Sequence, residues 1–222
     1  MDGILIIDKP AGITSHDVVA RVRRILKTKR VGHTGTLDPF ATGVMVVLVG
    51  RATRLAQFLD KDEKEYEATL RFGFETDTGD RTGSPKSQVS GPKPPKVKDV
   101  ETVLYYFRGE IEQMPPMYSA KKIDGRRAYE MARKGEDFVI KEHNVFIEDF
   151  EIVSINLPEI NFRITCSKGT YIRSMIHDFG RLLATGAHLS ALCRTRIGTY
   201  YLKDAVSPVE FLLQLSDTQK IQ

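Results

Sequence analysis

Cysteine is scarce in this chain. Cys166 and Cys193 are the only two among 222 residues. They are too few for a disulfide framework and do not stand at a metal-ligand spacing, so both are expected to be buried, reduced thiols. Long apolar runs are missing, and none approaches a membrane span. The N-terminal stretch MDGILIIDKPAG has an acid at its second position and reaches Asp8-Lys9 after four apolar residues, which does not read as a secretory signal. No Asn-x-Ser/Thr sequon occurs. A cytoplasmic protein with no membrane partner is expected. A dominant charge is lacking too. With 33 Lys+Arg against 29 Asp+Glu the net charge is +4, so a nucleic-acid partner has to be argued from local clusters. The five histidines (His16, His33, His143, His177, His188) show no His-x-His or His-x-x-x-His spacing. There is no phosphate-binding G-x-x-x-x-G-K-[ST] and no G-x-S-x-G elbow. Metal chemistry, nucleotide hydrolysis and serine-type acyl transfer therefore lack their signatures, and no metal or cofactor is expected.

What is present suits a chain able to bury a core without staples: 41% hydrophobic and 28% charged side chains over a length that fits one large domain. Residues 4–7 (ILII) read as a buried strand, followed by a turn at Lys9-Pro10-Ala11-Gly12. Thr14-x-x-Asp17 has the form of a capping box, and Val18, Val19, Val22, Ile25 and Leu26 line one face of the helix it starts. Residues 44–49 read as a buried strand. Residues 66–74 alternate, with Ala68, Leu70, Phe72 and Phe74 on one face. A helix is expected over 99–107, strands over 139–155 and 160–166, an amphipathic helix after Ser167-Lys168-Gly169-Thr170, and a last helix starting at Ser207-Pro208. Alternating strands mixed with about five helices in no strict βαβ order predict an α+β fold with a mixed, mostly antiparallel sheet and flanking helices.

Three segments concentrate positive charge. Arg21, Arg23, Arg24, Lys27, Lys29 and Arg30 lie on or just after the first helix with no acid among them. Such a run repels itself, which favours a phosphate-facing surface over a merely solvated one. Residues 83–98 hold four Pro and four Lys without an acid and read as an exposed basic loop. In residues 114–138, Lys121, Lys122, Arg126, Arg127, Arg133 and Lys134 interleave with Tyr118 and Tyr129. The apolar face there is thin, as in segments that order against a polyanion.

One acid stands out. In Gly32-His33-Thr34-Gly35-Thr36-Leu37-Asp38-Pro39, Asp38 sits in a glycine-flanked loop just downstream of the basic helix. Asp-Pro is ordinary turn chemistry. A carboxylate held on a rigid turn can also attack an anomeric carbon, as in retaining glycosidases, or add to an activated double bond. Glycosidases usually need a second carboxyl as acid, and no convincing partner stands out.

Six separated blocks carry a resemblance. Lys9-Pro10-x-Gly12-x-Thr14-Ser15, Gly32-His33-x-Gly35-Thr36-Leu37-Asp38-Pro39-x-Ala41-x-Gly43, Lys64-x-Tyr66, Pro115-Pro116-x-Tyr118-Ser119-Ala120-x-Lys122, Ser167-x-Gly169-Thr170-Tyr171-Ile172-Arg173 and Leu192-x-Arg194-Thr195 are similar, in this order, to the blocks of the bacterial tRNA pseudouridine synthase B (TruB) family. The resemblance implies a pseudouridine synthase fold with its cleft across the sheet. It also implies isomerisation of uridine 55 in the tRNA T loop, without cofactor or metal, through attack at C1′ or at uracil C6. It makes Asp38 the nucleophile, Tyr66 the aromatic that stacks on the flipped base and serves as general base, and Arg173 the partner of the aspartate. Tyr171 and Leu192 become uracil-pocket residues, His33 a residue that meets RNA near the extruded base, and Lys9 a supporting one. A single catalytic domain over residues 1–222 is expected, with an RNA-binding insertion at about 115–138. Many members continue into a small C-terminal RNA-binding module. This chain stops at Gln222, and that module is expected to be absent. The partner is the T stem-loop, and a monomer is expected. The competing readings are a tRNA-folding chaperone without chemistry and a carboxylate-dependent nucleoside hydrolase.

Overall fold

The computed structural model describes residues 1–88, 95–123 and 125–207. In chain order the elements are β1 (Gly3–Lys9), α1 (Ser15–Ile25), β2 (Val31–Thr34), β3 (Thr42–Val49), a 3-10 turn (Gly50–Leu55), α2 (Ala56–Leu59), β4 (Lys64–Phe72), β5 (Phe74–Thr76), β6 (Pro85–Gln88), α3 (Val97–Tyr105), β7 (Gly109–Gln113), β8 (Lys122–Ile123), β9 (Arg126–Arg127), α4 (Ala128–Arg133), β10 (His143–Asn156), β11 (Glu159–Cys166), α5 (Ile172–Leu182), β12 (Ala187–Ile197) and β13 (Tyr200–Tyr201). They fall into two compact units. One is made of residues 1–66 and 192–222, the other of residues 67–191, so the chain passes from one to the other within β4 and within β12. The expected α+β class with largely antiparallel pairing is what forms. Among the described residues no helix is long and apolar enough to cross a membrane.

In the first unit β3 is the central strand. Its run TGVMVVLV is buried on both faces, which is why it reads as continuous rather than alternating. β1 pairs with it antiparallel from Gly3↔Val49 to Lys9↔Gly43, β2 antiparallel from Val31↔Val49 to Thr34↔Val46, and β12 parallel at Cys193↔Thr42 and Arg194↔Gly43. Val44, Val46, Leu48 and Ile197 form a core cluster against Ile6, Ala52, Ala56, Leu59, Tyr200 and Leu202. The capping box of α1 is complete. Asp17 N donates to Thr14 Oγ1 at 3.1 Å, and Thr14 N donates to Asp17 Oδ2 at 2.8 Å. Val18, Val19 and Val22 are buried. Of the basic residues after them, Arg23 turns inward and donates to Val31 O at 2.9 Å, while Arg21, Arg24, Lys27, Lys29 and Arg30 remain exposed.

In the second unit β10 pairs antiparallel with both β11 and β7, and the aromatic core lies beneath them. Phe150 packs on Phe162 with ring centroids 4.9 Å apart, and Phe179 of α5 lies 5.7 Å from both Phe107 and Phe162. Several expectations need correction. The alternation from residue 66 ends at Phe72, because Gly73 turns the chain at φ +117° and Phe74 starts the separate strand β5. The basic loop at 83–98 is shorter than expected. Residues 85–88 pair with β5 as β6, α3 begins at Val97, and residues 89–94 lie outside the described residues. The strand expected from 139 begins only at His143. The helix expected from Ser207-Pro208 lies outside the described residues from position 208. β2, β7 and β12 were not anticipated. Segment 115–138 contains the β8–β9 hairpin and α4, with Ala128 and Met131 buried and a two-pronged Arg126–Glu136 pair at 2.7 and 2.8 Å. Cys166 is buried and Cys193 half-buried, and neither forms a disulfide.

The tightest backbone approach is at Gly43. Its φ is +105°, and a Cβ there would lie 2.2 Å from Arg194 O and 2.7 Å from Arg194 N. Gly43→Ala should therefore lower the unfolding free energy by about 3 kcal/mol or more, from strain plus a backbone clash that no rotamer relieves. Gly3→Ala, with nothing within 4 Å, should stay within about 0.5 kcal/mol. Urea unfolding of both variants checks the contrast.

Candidate active-site residues in the Asp38 loop and at the start of α5

Residues 35–41 join β2 to β3 and present Asp38, which is half-buried. Three side chains from other elements clamp this loop. Lys9, at the end of β1 and inaccessible to water, donates from Nζ to Ala41 O at 2.6 Å, Pro10 O at 2.9 Å and Pro39 O at 3.3 Å. Arg194 of β12, equally buried, donates to Val44 O at 2.8 Å, Gly35 O at 3.2 Å and Thr36 O at 3.4 Å. Ser15 Oγ accepts from Leu37 N at 2.8 Å and donates to Leu37 O at 3.1 Å. Gly12 N donates to Pro39 O, and Ala41 N to Asp38 O. The backbone is thus held on both sides of the acid, and its side chain projects from a turn with little freedom. Gly35 lets the cations approach. A Cβ there would stand 3.3 Å from Lys64 Cε and 3.5 Å from Arg194 Nη1.

Burial pushes the Lys9 ammonium from its usual 10.5 down to about 8. The negative charge of Asp38 acts against this shift and the positive charge of Arg194 adds to it. Lys9, expected only to support the site, is electrostatically coupled to the acid. The other expected residues of this unit stand on strands that touch the same loop or lead into it. Leu192 is buried on β12 two residues before Arg194 and shares its face of the strand. Tyr66 is buried on β4 two residues after Lys64, whose side chain reaches Gly35. Thr195 Oγ1 donates to Glu65 Oε1 at 2.6 Å. His33 is half-buried on β2, opposite Val47, in the strand that leads into the loop.

Tyr171 and Arg173 come together in the second unit, at the start of α5. Tyr171 is the N-cap residue and half-buried. Arg173 is buried. Its Nη1 donates to Thr78 O and its Nη2 to Tyr118 O, both at 2.9 Å, and Asp80 Oδ2 lies 4.0 Å from Nη1. Asp80 is buried as well and accepts from Thr82 N at 2.8 Å and Thr78 Oγ1 at 3.0 Å.

Sequence reasoning had no role for Ser15, Arg194 or Asp80. Ser15 and Arg194 stand inside blocks already singled out, and Asp80 lies in the TDTGDRTG turn, where its side chain reads as turn chemistry. Among the described residues no three His, Cys, Asp or Glu gather into a metal site.

A family model described as TruB family pseudouridylate synthase (N terminal domain) matches residues 23–172. A relative from Opitutus terrae named tRNA pseudouridine synthase B is 45% identical over 208 residues, covering 93% of this chain and 86% of its own. One of the same name from Clostridium kluyveri is 48% identical over 212 residues, covering 96% of this chain and 72% of its own. A solved structure described as an H/ACA RNP bound to a substrate RNA containing 2′-deoxyuridine matches with a TM-score of 0.73 at 29% identity, over 98% of this chain. The chain spans 55% of the length of that protein.

The lowered pKa of Lys9 has a signed consequence. Between about 8 and 10.5 the unfolded chain still binds the proton that the folded chain has released, so stability rises with pH across that window. The cost of burying the charge is fully present below it. Lys9→Met lacks this titration. Relative to that variant, the parent should gain at most about 1.4 kcal/mol per pH unit between the two values. Urea midpoints of both proteins from pH 7 to 10.5 check it, and a constant difference would refute the assignment.

Proposed function

The chain belongs to the TruB family of pseudouridylate synthases and is an isomerase, and on that premise we propose that it converts uridine 55 in the T loop of tRNA to pseudouridine with Asp38 as the nucleophile. The observation that carries the proposal is the clamped loop. An acid whose flanking carbonyls are tied to buried cations is oriented before substrate arrives, so little ordering remains for the reaction to supply.

The target uridine is stacked in a folded loop and has to be extruded, at a cost of a few kcal/mol. An aromatic face recovers about 1–3 kcal/mol of this, and Tyr66 is the ring proposed to supply it. Asp38 then attacks, at C1′ or at C6. The N1–C1′ bond breaks, uracil rotates, and C5 bonds to C1′; the bond to Asp38 breaks again, by displacement at C1′ or by elimination from C6, the C5 proton passes to a base, for which the Tyr66 hydroxyl is the candidate, and N1 takes up a proton. Atoms balance without a cofactor, because product and substrate are isomers. Arg173 is proposed as the cation that keeps Asp38 ionised. Tyr171 and Leu192 are proposed as residues that recognise uracil, and His33 as one that meets the RNA beside the extruded base. The exposed cations at 21–30, the basic segment at 83–98 and the insertion at 115–138 are proposed to hold the phosphates of the T stem-loop.

Asp38→Asn keeps the shape of the side chain and removes its nucleophilicity. Under single-turnover conditions with saturating protein and a uridine-labelled T stem-loop, this variant should fall below about 10⁻⁴ of the parent rate and still bind the RNA. Conversion within about tenfold of the parent would show that Asp38 is not the nucleophile. The same assay separates the competing readings, since a hydrolase releases free uracil and a chaperone leaves the RNA unchanged.

Binding should also be salt-sensitive. Log K is expected to fall against log salt with a slope of roughly 0.7–0.9 per phosphate contact, and charge reversal of Arg24 and Lys27 together should flatten that slope by one to two contacts. An unchanged slope would remove α1 from the RNA-binding surface.

A further inference from the structure

Gln113 ends β7 with 2% of its surface exposed. Its side-chain amide makes both of its hydrogen bonds to the backbone of one residue. Tyr171 N donates to Oε1 at 2.8 Å, and Nε2 donates to Tyr171 O at 3.0 Å. Used this way, a carboxamide imitates a neighbouring strand: it satisfies the donor and the acceptor of a single residue at once. Tyr171 is the extended residue before α5, at φ −102° and ψ 103°, and no side chain caps the helix from that position. One turn on, Ser174 Oγ donates to Met114 O at 2.7 Å. Three hydrogen bonds therefore tie the end of β7 to positions 171 and 174, and Arg173 lies between them. The ring of Tyr171 is met edge-on by His143, which stands opposite Gln113 in the β7–β10 ladder. Their centroids are 6.1 Å apart at 87°.

We propose that Gln113 is a positioning residue for pseudouridine formation: its amide sets the backbone of Tyr171 to Ser174 so that the Tyr171 ring and the Arg173 guanidinium are in place before a nucleotide enters. The proposal rests on the reading that the chain is a pseudouridine synthase using these two residues. Chain length and chemistry make glutamine specific here. Asn falls one methylene short. Glu accepts from Tyr171 N, but its second oxygen then faces the carbonyl oxygen of Tyr171. Met has a similar length and makes neither bond. The amide touches no reacting atom, so its loss leaves the RNA-binding surfaces intact and misplaces groups by fractions of an ångström. A misplacement of about 1 Å is worth about a hundredfold in rate.

The test is single-turnover conversion of a T stem-loop at saturating protein from pH 5.5 to 8.5, for the parent, Gln113→Glu and Gln113→Met, with RNA affinity measured alongside. At pH 8 both variants should be about 10- to 100-fold slower than the parent, with Kd within about threefold. As the pH falls, the buried Glu takes up a proton and regains the donor to Tyr171 O, so its rate relative to the parent should recover. The Met variant should show no recovery. Glu112, His143, Asp178 and Arg181 surround the position and are common to parent and variants, so the ratio at each pH isolates residue 113. A residue serving stability alone would lower the melting temperature and leave the rate of the folded protein at saturation unchanged. A Met variant within twofold of the parent rate overturns the proposal, and so does a folded Glu variant whose deficit is the same at every pH. Should the Glu protein fail to fold, the Met variant decides. A parent that makes no pseudouridine would overturn the functional reading instead.

Discussion

Five backbone carbonyls between Gly35 and Val44 end on two cations that water does not reach, those of Lys9 and Arg194. A buried cation is usually matched by a carboxylate, and the pair then neutralises itself. Here peptide dipoles solvate the charge without cancelling it. Positive potential is left in the loop where Asp38 resides, and the backbone around that acid gains the stiffness of a small sheet. The downward shift of Lys9 shows that the dipoles do not fully repay the lost hydration.

Main-chain oxygens also hold a buried cation in the second unit. Arg173 is buried, and its guanidinium ends on the carbonyls of Thr78 and Tyr118. Asp80, at 4.0 Å, is itself occupied by Thr78 and Thr82. Lys9, Arg194 and Arg173 are thus all held by main-chain oxygens, whose geometry the fold fixes. The aromatic core of Phe107, Phe150, Phe162 and Phe179 sits below α5 and gives that helix a rigid seat. Secondary structure and cation placement are coupled in this way: the elements exist because their apolar faces bury, and their ends deliver the charges.

Much of this was legible one residue at a time where the signal is local. The capping box at Thr14 and Asp17 needs only three positions, and the buried run of β3 and the alternation of β4 need eight or nine. The loop of Asp38 shows itself by glycine spacing and an acid beside proline. The signals that failed are those that depend on distant partners. Arg194 lies in a strand whose other residues are mixed, and nothing nearby says that its guanidinium turns inward to carbonyls some 150 positions away. Gln113 looks like a polar strand end. Asp80 looks like a turn former, which it is, and its burial beside Arg173 is a tertiary fact. Phe74 continued the alternation on paper, but the backbone at Gly73 does not continue the strand.

The wiring of the loop also dictates an order of assembly. Arg194 and Gly35 are 159 positions apart in the chain, and the unit that holds them is built from its two ends with residues 67–191 between. During synthesis Asp38 and all its neighbours up to Val49 leave the ribosome early, at about 5–20 residues per second, and then wait for β12. The intervening unit is continuous in sequence and can close while that wait lasts. Until Arg194 arrives, the carbonyls of Gly35, Thr36 and Val44 lack the guanidinium that they share in the finished fold. The arrival of β12 is therefore also the step that matures the site: a nascent or truncated chain ending before residue 194 carries the acid without the Arg194 half of the clamp that orients it.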